Sequence, residues 1–445
     1  MRGPQTREWF ARAKRVLPNG VSSGFRYWGE EETFVIDRGM GGHVFDMDGR
    51  EYIDYQLGFG PVILGHGDPY VAEAVAKAAE RGTTFAMTQA AEIETAEKVI
   101  EVLEWPDRLR FTNTGTEATM GAIRLARGWG ARDLILKFEG HYHGSHDSLL
   151  FTTAGAPADH LGSRLRPVRI QSSSGIPETV QSHVRTLPFN DIELAEEFFA
   201  DHGHELAAVI VEPMAGNFLG VPPVPGFLET LRRLCDESEC VLIFDEVKTG
   251  FRLGIGGAVA RYGVVPDVAT YAKAMGNGFP VAAIALAEKV VEGWELGGIT
   301  QAGTYSGNGL AVAAARATIE RLEDGAAYAQ IDRVGSAIMA GLQEILDDAG
   351  VTGTVVGDPS MFSLFMGEGT PTEYRDLVRH DERLYDTTVM RMIDRGVMPC
   401  PDALEPWFTC AAHTEDDVTR TLEVFSESLR EVLDNPFSMS TVVDE

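Results

Sequence analysis

The chain has 445 residues, of which 44% are hydrophobic and 24% charged, with a formal net charge of −29. This length exceeds what one hydrophobic core usually organises, so we expect two packed domains or one large domain with lobes. The acidic balance disfavours nucleic acid and anionic membranes as partners, and without a membrane-spanning run or an apolar signal core the expected location is the cytoplasm.

The N-terminal region has short elements. Residues 8–17 have the spacing of an amphipathic helix, which we expect to end at the turn signal that follows. Residues 43–56 alternate apolar and polar around Asp48-Gly49, which predicts a hairpin. Two further helices are predicted over residues 70–81 and 91–104.

From about residue 108, short apolar runs alternate with helical stretches such as 116–128 and 226–238. The runs are LRFTN, LILKFEG, AAVIVEP, VLIFDEV and VAAIALA. This rhythm predicts an α/β domain with a mainly parallel sheet covered on both faces. Ligands of such sheets bind beyond the carboxyl ends of the strands, so the residues that end these runs are the functional candidates.

Beyond a helix expected over 309–323, the pattern becomes α+β. We expect strands within 351–366, helices over 386–396 and 414–433, and a loose tail over 435–445.

The predicted domain boundary lies near residues 325–330. We assign residues 1–60 to an N-terminal segment of the small lobe, residues 61–325 to the large domain and residues 326–445 to a small α+β domain.

The stretch 111–118, FTNTGTEA, joins the end of a strand to the start of a helix. A helix N-terminus offers free N–H groups to a phosphate, and Gly115 permits close backbone approach. An ordinary helix cap with a glycine turn is the alternative.

Asp245 and Glu246 end the apolar run VLIFDEV. Adjacent carboxylates at that position require partners. A carboxylate facing a pyridinium nitrogen keeps it protonated, which makes the ring an electron sink. The alternatives are a helix cap or an ion pair with Arg252.

Lys273 is the best reactive candidate among seven lysines, because it lies between two apolar segments before a Gly-Pro turn. Partial burial lowers the pKa of a lysine and prepares it to form a Schiff base. The alternative is a strand-end lysine that reaches solvent. Lys248 is expected in an exposed turn.

The run His141–His146 is rich in histidine but has no carboxylate or cysteine at metal-binding spacing, so no metal site is predicted. Tyr142 within it is a candidate for stacking on a cofactor ring. Residues 20–24 match GxSxG but lack the strand–turn–helix context of a nucleophilic serine.

Six motifs follow one another in the order NTGTEA, FEGHYHG, EPMAGN, FDEVKTGFR, YAKAMGNGFP and QAGTYSGN. From about residue 40 to 430 the chain thereby resembles the class III (subgroup II) aminotransferases, and within them the glutamate-1-semialdehyde aminomutase branch. The resemblance implies fold type I of the pyridoxal-phosphate enzymes: a mainly parallel seven-stranded sheet in a large domain, with a smaller α+β domain.

The resemblance also implies which residues bind pyridoxal 5'-phosphate. They are Thr114, Gly115, Thr116, Tyr142, Glu212, Asn217, Asp245, Val247, Lys273 and Thr304.

Their implied roles differ. Lys273 holds the cofactor as a Schiff base and shuttles protons, and Asp245 pairs with the ring nitrogen. Tyr142 and Val247 lie on opposite faces of the ring; with Lys273 and Asp245, Tyr142 completes the catalytic set. Residues 114–116 hold the phosphate, while Glu212 and Asn217 lie near the ring hydroxyl. Thr304 reaches the phosphate of the neighbouring subunit, which implies a homodimer with shared active sites.

The chain also departs from the aminomutase pattern. Lys248 stands where methionine is common, and residues 276–282 and 23–28 differ from the usual runs. Arg26 is a candidate carboxylate clamp, and Glu405 matches a glutamate of the aminomutases. We predict an aminotransferase that moves an amino group from an amine or β-amino acid to a keto acid such as pyruvate. The alternatives are glutamate-1-semialdehyde 2,1-aminomutase and a non-catalytic cofactor-binding protein.

Overall fold

The structure, a computed structural model, describes residues 2–295 and 298–435. Its strands, in chain order, are β1 (Ile36–Met40), β2 (His43–Asp46), β3 (Glu51–Asp54), β4 (Arg108–Thr112), β5 (Leu134–Phe138), β6 (Gly162–Ser163), β7 (Arg166–Pro167), β8 (Val184–Leu187), β9 (Leu206–Val211), β10 (Val241–Glu246), β11 (Val268–Tyr271), β12 (Ala282–Leu286), β13 (Thr354–Asp358), β14 (Met361–Phe365), β15 (Val397–Met398) and β16 (Trp407–Phe408). Its α-helices are α1 (Pro4–Ala13), α2 (Pro69–Glu80), α3 (Ala90–Leu103), α4 (Gly115–Gly130), α5 (Glu178–Gln181), α6 (Ile192–His202), α7 (Phe227–Glu237), α8 (Gly257–Tyr262), α9 (Glu288–Glu295), α10 (Gly309–Leu322), α11 (Ala326–Asp348), α12 (Glu382–Asp394) and α13 (Glu415–Asp434). Apart from Asn435, the tail predicted to be loose lies outside the described residues.

The centre of the large domain is a seven-stranded sheet of order β4-β12-β11-β10-β9-β5-β8. β12 runs antiparallel to both of its neighbours, and the remaining pairs are parallel. Every residue of β9 and β10 is buried, because helices cover both faces and leave no solvated side. The predicted mainly parallel sheet is confirmed. It includes two strands that the sequence analysis did not single out, β8 and β11.

Two predicted helices begin earlier than their periodicity indicated. α1 starts at Pro4 rather than residue 8, because the N–H groups of Gln5 and Thr6 donate to Asp48, more than 40 residues away. α12 starts at Glu382 rather than 386, because the Asp381 side chain accepts from the N–H of Leu384. Both starts depend on caps that hydrophobic spacing does not reveal.

The small lobe combines both ends of the chain. A four-stranded sheet of order β1-β2-β3-β15 joins the predicted N-terminal hairpin to a strand from the C-terminal part, and β13-β14-β16 form a second sheet. One buried cluster contains Tyr52 and Ile53 together with Val389, Trp407 and Phe425. This supports an N-terminal segment that belongs to the small lobe, while the boundaries at 60 and 325 stay a prediction.

Candidate active site

The carboxyl ends of β4, β5, β9, β10 and β11 meet around a cavity of about 340 Å³. The cavity is lined by all the predicted cofactor-binding residues except Thr304. Parallel strands end at one edge of their sheet, which is why residues as distant in sequence as Thr114 and Lys273 converge here.

The N-terminus of α4 forms one end of the cavity. Thr114 caps the helix by accepting from the N–H of Glu117 at 3.2 Å, and Glu117 accepts in return from the N–H of Thr114 at 3.1 Å. The predicted ordinary cap is therefore present, yet the following N–H groups of Gly115 and Thr116 belong to the first helical turn, which has no intrahelical acceptors. These groups, and the positive end of a 16-residue helix, suit a phosphate.

Glycine at position 115 keeps this end of the cavity compact. A Cβ atom there would lie 2.9 Å from Cγ2 of Val247. At Gly144, where φ is +92°, a Cβ atom would lie 2.7 Å from Cα of Thr116. Larger residues at either position would push the turn at the start of α4 away from the segments that follow β10 and β5.

Asp245 faces the cavity from the end of β10 and is buried. Its Oδ2 lies 2.7 Å from Nδ1 of His143, and its Oδ1 accepts from the Thr270 hydroxyl and the Val247 N–H, both at 3.1 Å. Burial raises the pKa of Asp245 to about 6, although the hydrogen bonds and nearby lysines oppose the shift. Burial also holds the pKa of His143 well below its usual value, so this imidazole is neutral and donates to Asp245.

Glu246 points away from the cavity and caps α8. Its Oε2 accepts from the N–H of Ala258 at 2.6 Å, and its Oε1 accepts from the hydroxyl of Tyr271 at 3.1 Å. The helix-cap alternative therefore applies to Glu246. The other alternative, an ion pair with Arg252, is wrong. The Arg252 guanidinium instead donates to backbone carbonyls, including that of Gly60 at 2.6 Å.

Lys273 lines the same cavity and has a left-handed backbone conformation with φ +46°. Its Nζ donates to the carbonyl of Phe59 at 2.9 Å. Burial, with the positive charge of Lys248, lowers the pKa of Lys273 to about 7.

Glu212 contributes a buried oxygen without a partner. Its Oε1 accepts from the N–H of Tyr142 and from Nδ2 of Asn217, both at 2.8 Å, whereas Oε2 has no hydrogen bond. Burial, followed by the charge of Asp245, raises the pKa of Glu212 to about 7. A buried oxygen without a hydrogen-bond partner destabilises the fold, and beside a cavity it is suited to accept a hydrogen bond from a bound molecule.

Lys137 lies within β5 and was not among the site residues predicted from the sequence. Its wholly buried Nζ donates to the carbonyls of His141 at 2.8 Å and Phe151 at 2.5 Å. The segment between those carbonyls carries Tyr142 and His143. The signal in the sequence was a lysine inside the otherwise apolar run LILKF.

Lys248 is buried, so its expected exposure is wrong. Its Nζ contacts both carboxylate oxygens of Glu405, at 2.7 and 2.8 Å, and the carbonyl of Gly216 at 2.8 Å. The end of β10 directs it into the wall of the cavity, where Gly216 leaves room for its stem.

The remaining predicted residues lie farther out. Arg26 and Thr304 are exposed and do not line the cavity. Phe25, beside Arg26, makes an edge contact with Tyr142 at a centroid distance of 5.9 Å. Substrate binding by Arg26 and Glu405 stays a prediction.

Within the described part of the chain, no group of three or more histidine, cysteine or acidic side chains could hold a metal ion. No helix in that part is long and apolar enough to cross a membrane. The imidazoles of His141 and His143 are engaged with the Glu212 N–H and with Asp245.

A seven-stranded α/β sheet with a lysine, a buried aspartate and a helix N-terminus around one cavity defines a fold type I transferase. Residues 27–422 match the family described as aminotransferase class-III, and the chain belongs to that family.

Individual relatives cover nearly the whole chain. The glutamate-1-semialdehyde 2,1-aminomutase of Ignicoccus hospitalis is 41% identical over 425 residues, 95% of this chain and 98% of that protein. The protein of the same name from Methanopyrus kandleri is 40% identical over 96% of this chain and 97% of its own length. The crystal structure of an omega-transaminase from Sphaerobacter thermophilus has a TM-score of 0.90 at 32% identity, covering 97% of this chain and 98% of that one.

The site fits pyridoxal 5'-phosphate, the cofactor of this family. The helix N-terminus suits its phosphate, Asp245 suits its ring nitrogen, and the unpartnered Oε2 of Glu212 suits a donor at the ring's hydroxyl side. The amine of Lys273 lines the same cavity.

Proposed function

We propose that the chain transfers an amino group with pyridoxal phosphate held at Lys273. The observation that carries the proposal is the convergence of Lys273, Asp245 and the α4 N-terminus on one cavity. Each supplies a different requirement of the chemistry: an amine, a ring-nitrogen partner and a phosphate site.

When bound, pyridoxal phosphate supplies an electron-withdrawing ring that makes the carbon bearing the substrate amino group acidic. The protein must then move a proton at that carbon. Lys273 is suited to this step, because an amine with a pKa lowered to about 7 is free to accept a proton at neutral pH and to return it.

Asp245 has the complementary task of holding the ring nitrogen in its protonated form. His143, Thr270 and the Val247 N–H orient the carboxylate for it. Tyr142 and Val247 line the cavity and are proposed to contact the two ring faces, with Glu212 and Asn217 at the hydroxyl side.

Of the two reactions open to such a site, we take glutamate-1-semialdehyde 2,1-aminomutase as the first candidate. Relatives of that name at 40–41% identity over 95–96% of the chain support it. In this reaction the amino group moves between adjacent carbons of one substrate, so no separate acceptor is needed.

The second candidate is an aminotransferase that uses an amine or β-amino acid as donor and a keto acid such as pyruvate as acceptor. The contact of Lys248 with Glu405 favours it, because the glutamate that matches the aminomutases is already engaged by this chain's own ammonium. The resemblance to the Sphaerobacter thermophilus omega-transaminase also supports it.

One experiment separates the two reactions. The holoenzyme is given glutamate-1-semialdehyde without a keto acid, and, in a parallel reaction, a panel of amines and β-amino acids with pyruvate. Formation of 5-amino-4-oxopentanoate in the first supports the aminomutase, whereas alanine formed only in the second supports the aminotransferase. Lys273→Ala should abolish either product, and neither product from the wild-type holoenzyme would contradict the proposal.

We further propose a homodimer with shared active sites, in which exposed Thr304 contacts the cofactor phosphate of the neighbouring subunit. Light scattering should give a dimer mass or a multiple of it. Thr304→Val should weaken cofactor binding, whereas Thr300→Val, also exposed, should not. A monomer that binds cofactor normally would contradict this arrangement.

A further inference from the structure

Lys248 lines the cavity and forms an ion pair with Glu405. They are 157 positions apart: Lys248 follows β10, and Glu405 precedes β16. All three protons of the ammonium have an acceptor close by, because two carboxylate oxygens and the carbonyl of Gly216 lie within 2.8 Å of Nζ. We call this contact the 248–405 pair.

The pair is shielded from solvent. The Lys248 side chain is 6% exposed and that of Glu405 15%, so screening by water and salt is weak. The ammonium also lies 5.7 Å from the ring centroid of Phe408, which Arg252 contacts as well. Both charges are thus held in place beside the cavity.

Lys273 faces four charged groups, which come from several elements of the fold. Lys248 and Asp245 come from the end of β10, Glu212 from the end of β9, and Glu405 from the turn before β16. Lys248 opposes a positive charge on Lys273, whereas the three carboxylates favour it. Within the 248–405 pair the two effects therefore have opposite signs.

We propose that Lys248 is a positioning residue, whose pairing with Glu405 keeps that side of the cavity electrically neutral and so keeps Lys273 able to accept a proton near neutral pH. The inference rests on the proposed role of Lys273 but not on which amino-group reaction the protein performs. In this role Lys248 touches neither substrate nor cofactor. It acts through the charge that it neutralises.

The proposal predicts the direction in which the pKa of Lys273 shifts in two single variants. In Lys248→Met the Glu405 carboxylate loses its partner and favours a positive charge on Lys273, so the pKa of Lys273 should rise by roughly one unit. In Glu405→Gln the Lys248 charge is unbalanced, so the pKa of Lys273 should fall by a similar amount. The double variant Lys248→Met/Glu405→Gln should return close to the wild-type value.

The measurement is a spectrophotometric pH titration of each holoenzyme, following the absorbance change that accompanies protonation at the Lys273 nitrogen. Lys248→Arg is the conservative control, because it keeps the charge and should keep the wild-type midpoint. Thermal unfolding of each variant shows whether it is folded. If an unpaired charge destabilises one of the single variants, the midpoint of the double variant tests the proposal.

Two results would overturn the proposal. In the first, the titration midpoints of both single variants shift in the same direction. In the second, the midpoint of the double variant differs from that of the wild type as much as the midpoints of the single variants do. Either would indicate a structural role only. If the wild-type holoenzyme shows no spectroscopic signal dependent on Lys273, the proposed function itself fails, and this outcome is distinct from the other two.

Discussion

Nδ1 of His143 lies 2.7 Å from Oδ2 of Asp245, in a contact that is inaccessible to solvent. The two residues are 102 positions apart and meet because β5 and β10 end at the same edge of the sheet. Since burial keeps the imidazole neutral, the contact is a directed N–H donation that orients the carboxylate. Together with Thr270 and the Val247 N–H, His143 therefore orients Asp245 for its proposed role at a ring nitrogen.

Replacing His143 should weaken cofactor binding without unfolding the protein. In His143→Gln the carboxylate loses a well-aligned donor, which costs about 1–3 kcal/mol, or roughly 5- to 150-fold in affinity. Titration of the apo-protein with pyridoxal phosphate measures the Kd. His204→Gln, at an exposed position, is the matched control; equal Kd values for the two variants would contradict the role given to His143.

Asp245→Asn should retain cofactor but lose most of its activity. The amide has the shape of the carboxylate but cannot stabilise a protonated ring nitrogen, so turnover should fall at least about a hundredfold. Cofactor content is measured by absorbance and turnover by product formation. Asp236→Asn, on the exposed face of α7, serves as the control. Near-normal turnover in Asp245→Asn would assign the ring nitrogen to another group.

Lys273→Ala should abolish covalent attachment of the cofactor. Borohydride reduction followed by peptide mass spectrometry should find the cofactor on Lys273 in the wild type and on no lysine in the variant. Lys137→Ala is unsuitable as a control, because Nζ of Lys137 donates to the carbonyl of His141, next to Tyr142. Lys98→Ala, on α3, is the better control. Cofactor fixed to another lysine in both proteins would show that the assignment is wrong.

The attachment rate should depend on pH with a midpoint near 7. Burial lowers the pKa of Lys273 to about 7, so the reactive neutral amine predominates above that pH and is lost as pH falls below it. Stopped-flow mixing of apo-protein with pyridoxal phosphate gives the rate. Asp245→Asn removes a charge that favours the ammonium form, so its midpoint should lie lower. A midpoint near 10, typical of a solvated lysine, would contradict the burial argument.

Glu246 should make the protein less stable as pH rises. Burial raises its pKa from 4.5 to about 7, so between these values the folded chain holds a proton that the unfolded chain releases. The contribution of Glu246 to the free energy of unfolding therefore falls through this window, by about 3 kcal/mol in total. Urea unfolding of apo-protein at pH 5 and pH 8 should show a smaller fall in Glu246→Gln. An equal fall in the free energy of unfolding of both proteins would contradict the raised pKa of Glu246.

The strands of the sheet were largely predictable, because a sheet covered on both faces produces continuous apolar runs. β11 was missed since its four residues, VATY, continue directly into the segment around Lys273. The starts of α1 and α12 were misplaced because their caps are side chains, in one case from a distant turn. The spacing of apolar residues, from which these helices were predicted, does not indicate which side chains cap them.

What the sequence determined by itself is the framework: apolar runs that end in Asp245 and near Lys273, and a glycine turn that opens α4. What only the tertiary structure decided is which charges are neutralised. Lys248 was expected in an exposed turn because Thr249 and Gly250 follow it, yet Glu405, 157 positions away, binds its ammonium. Burial and ion pairing are properties of long-range contacts, whereas periodicity reports only on neighbours within a turn or two of the same element.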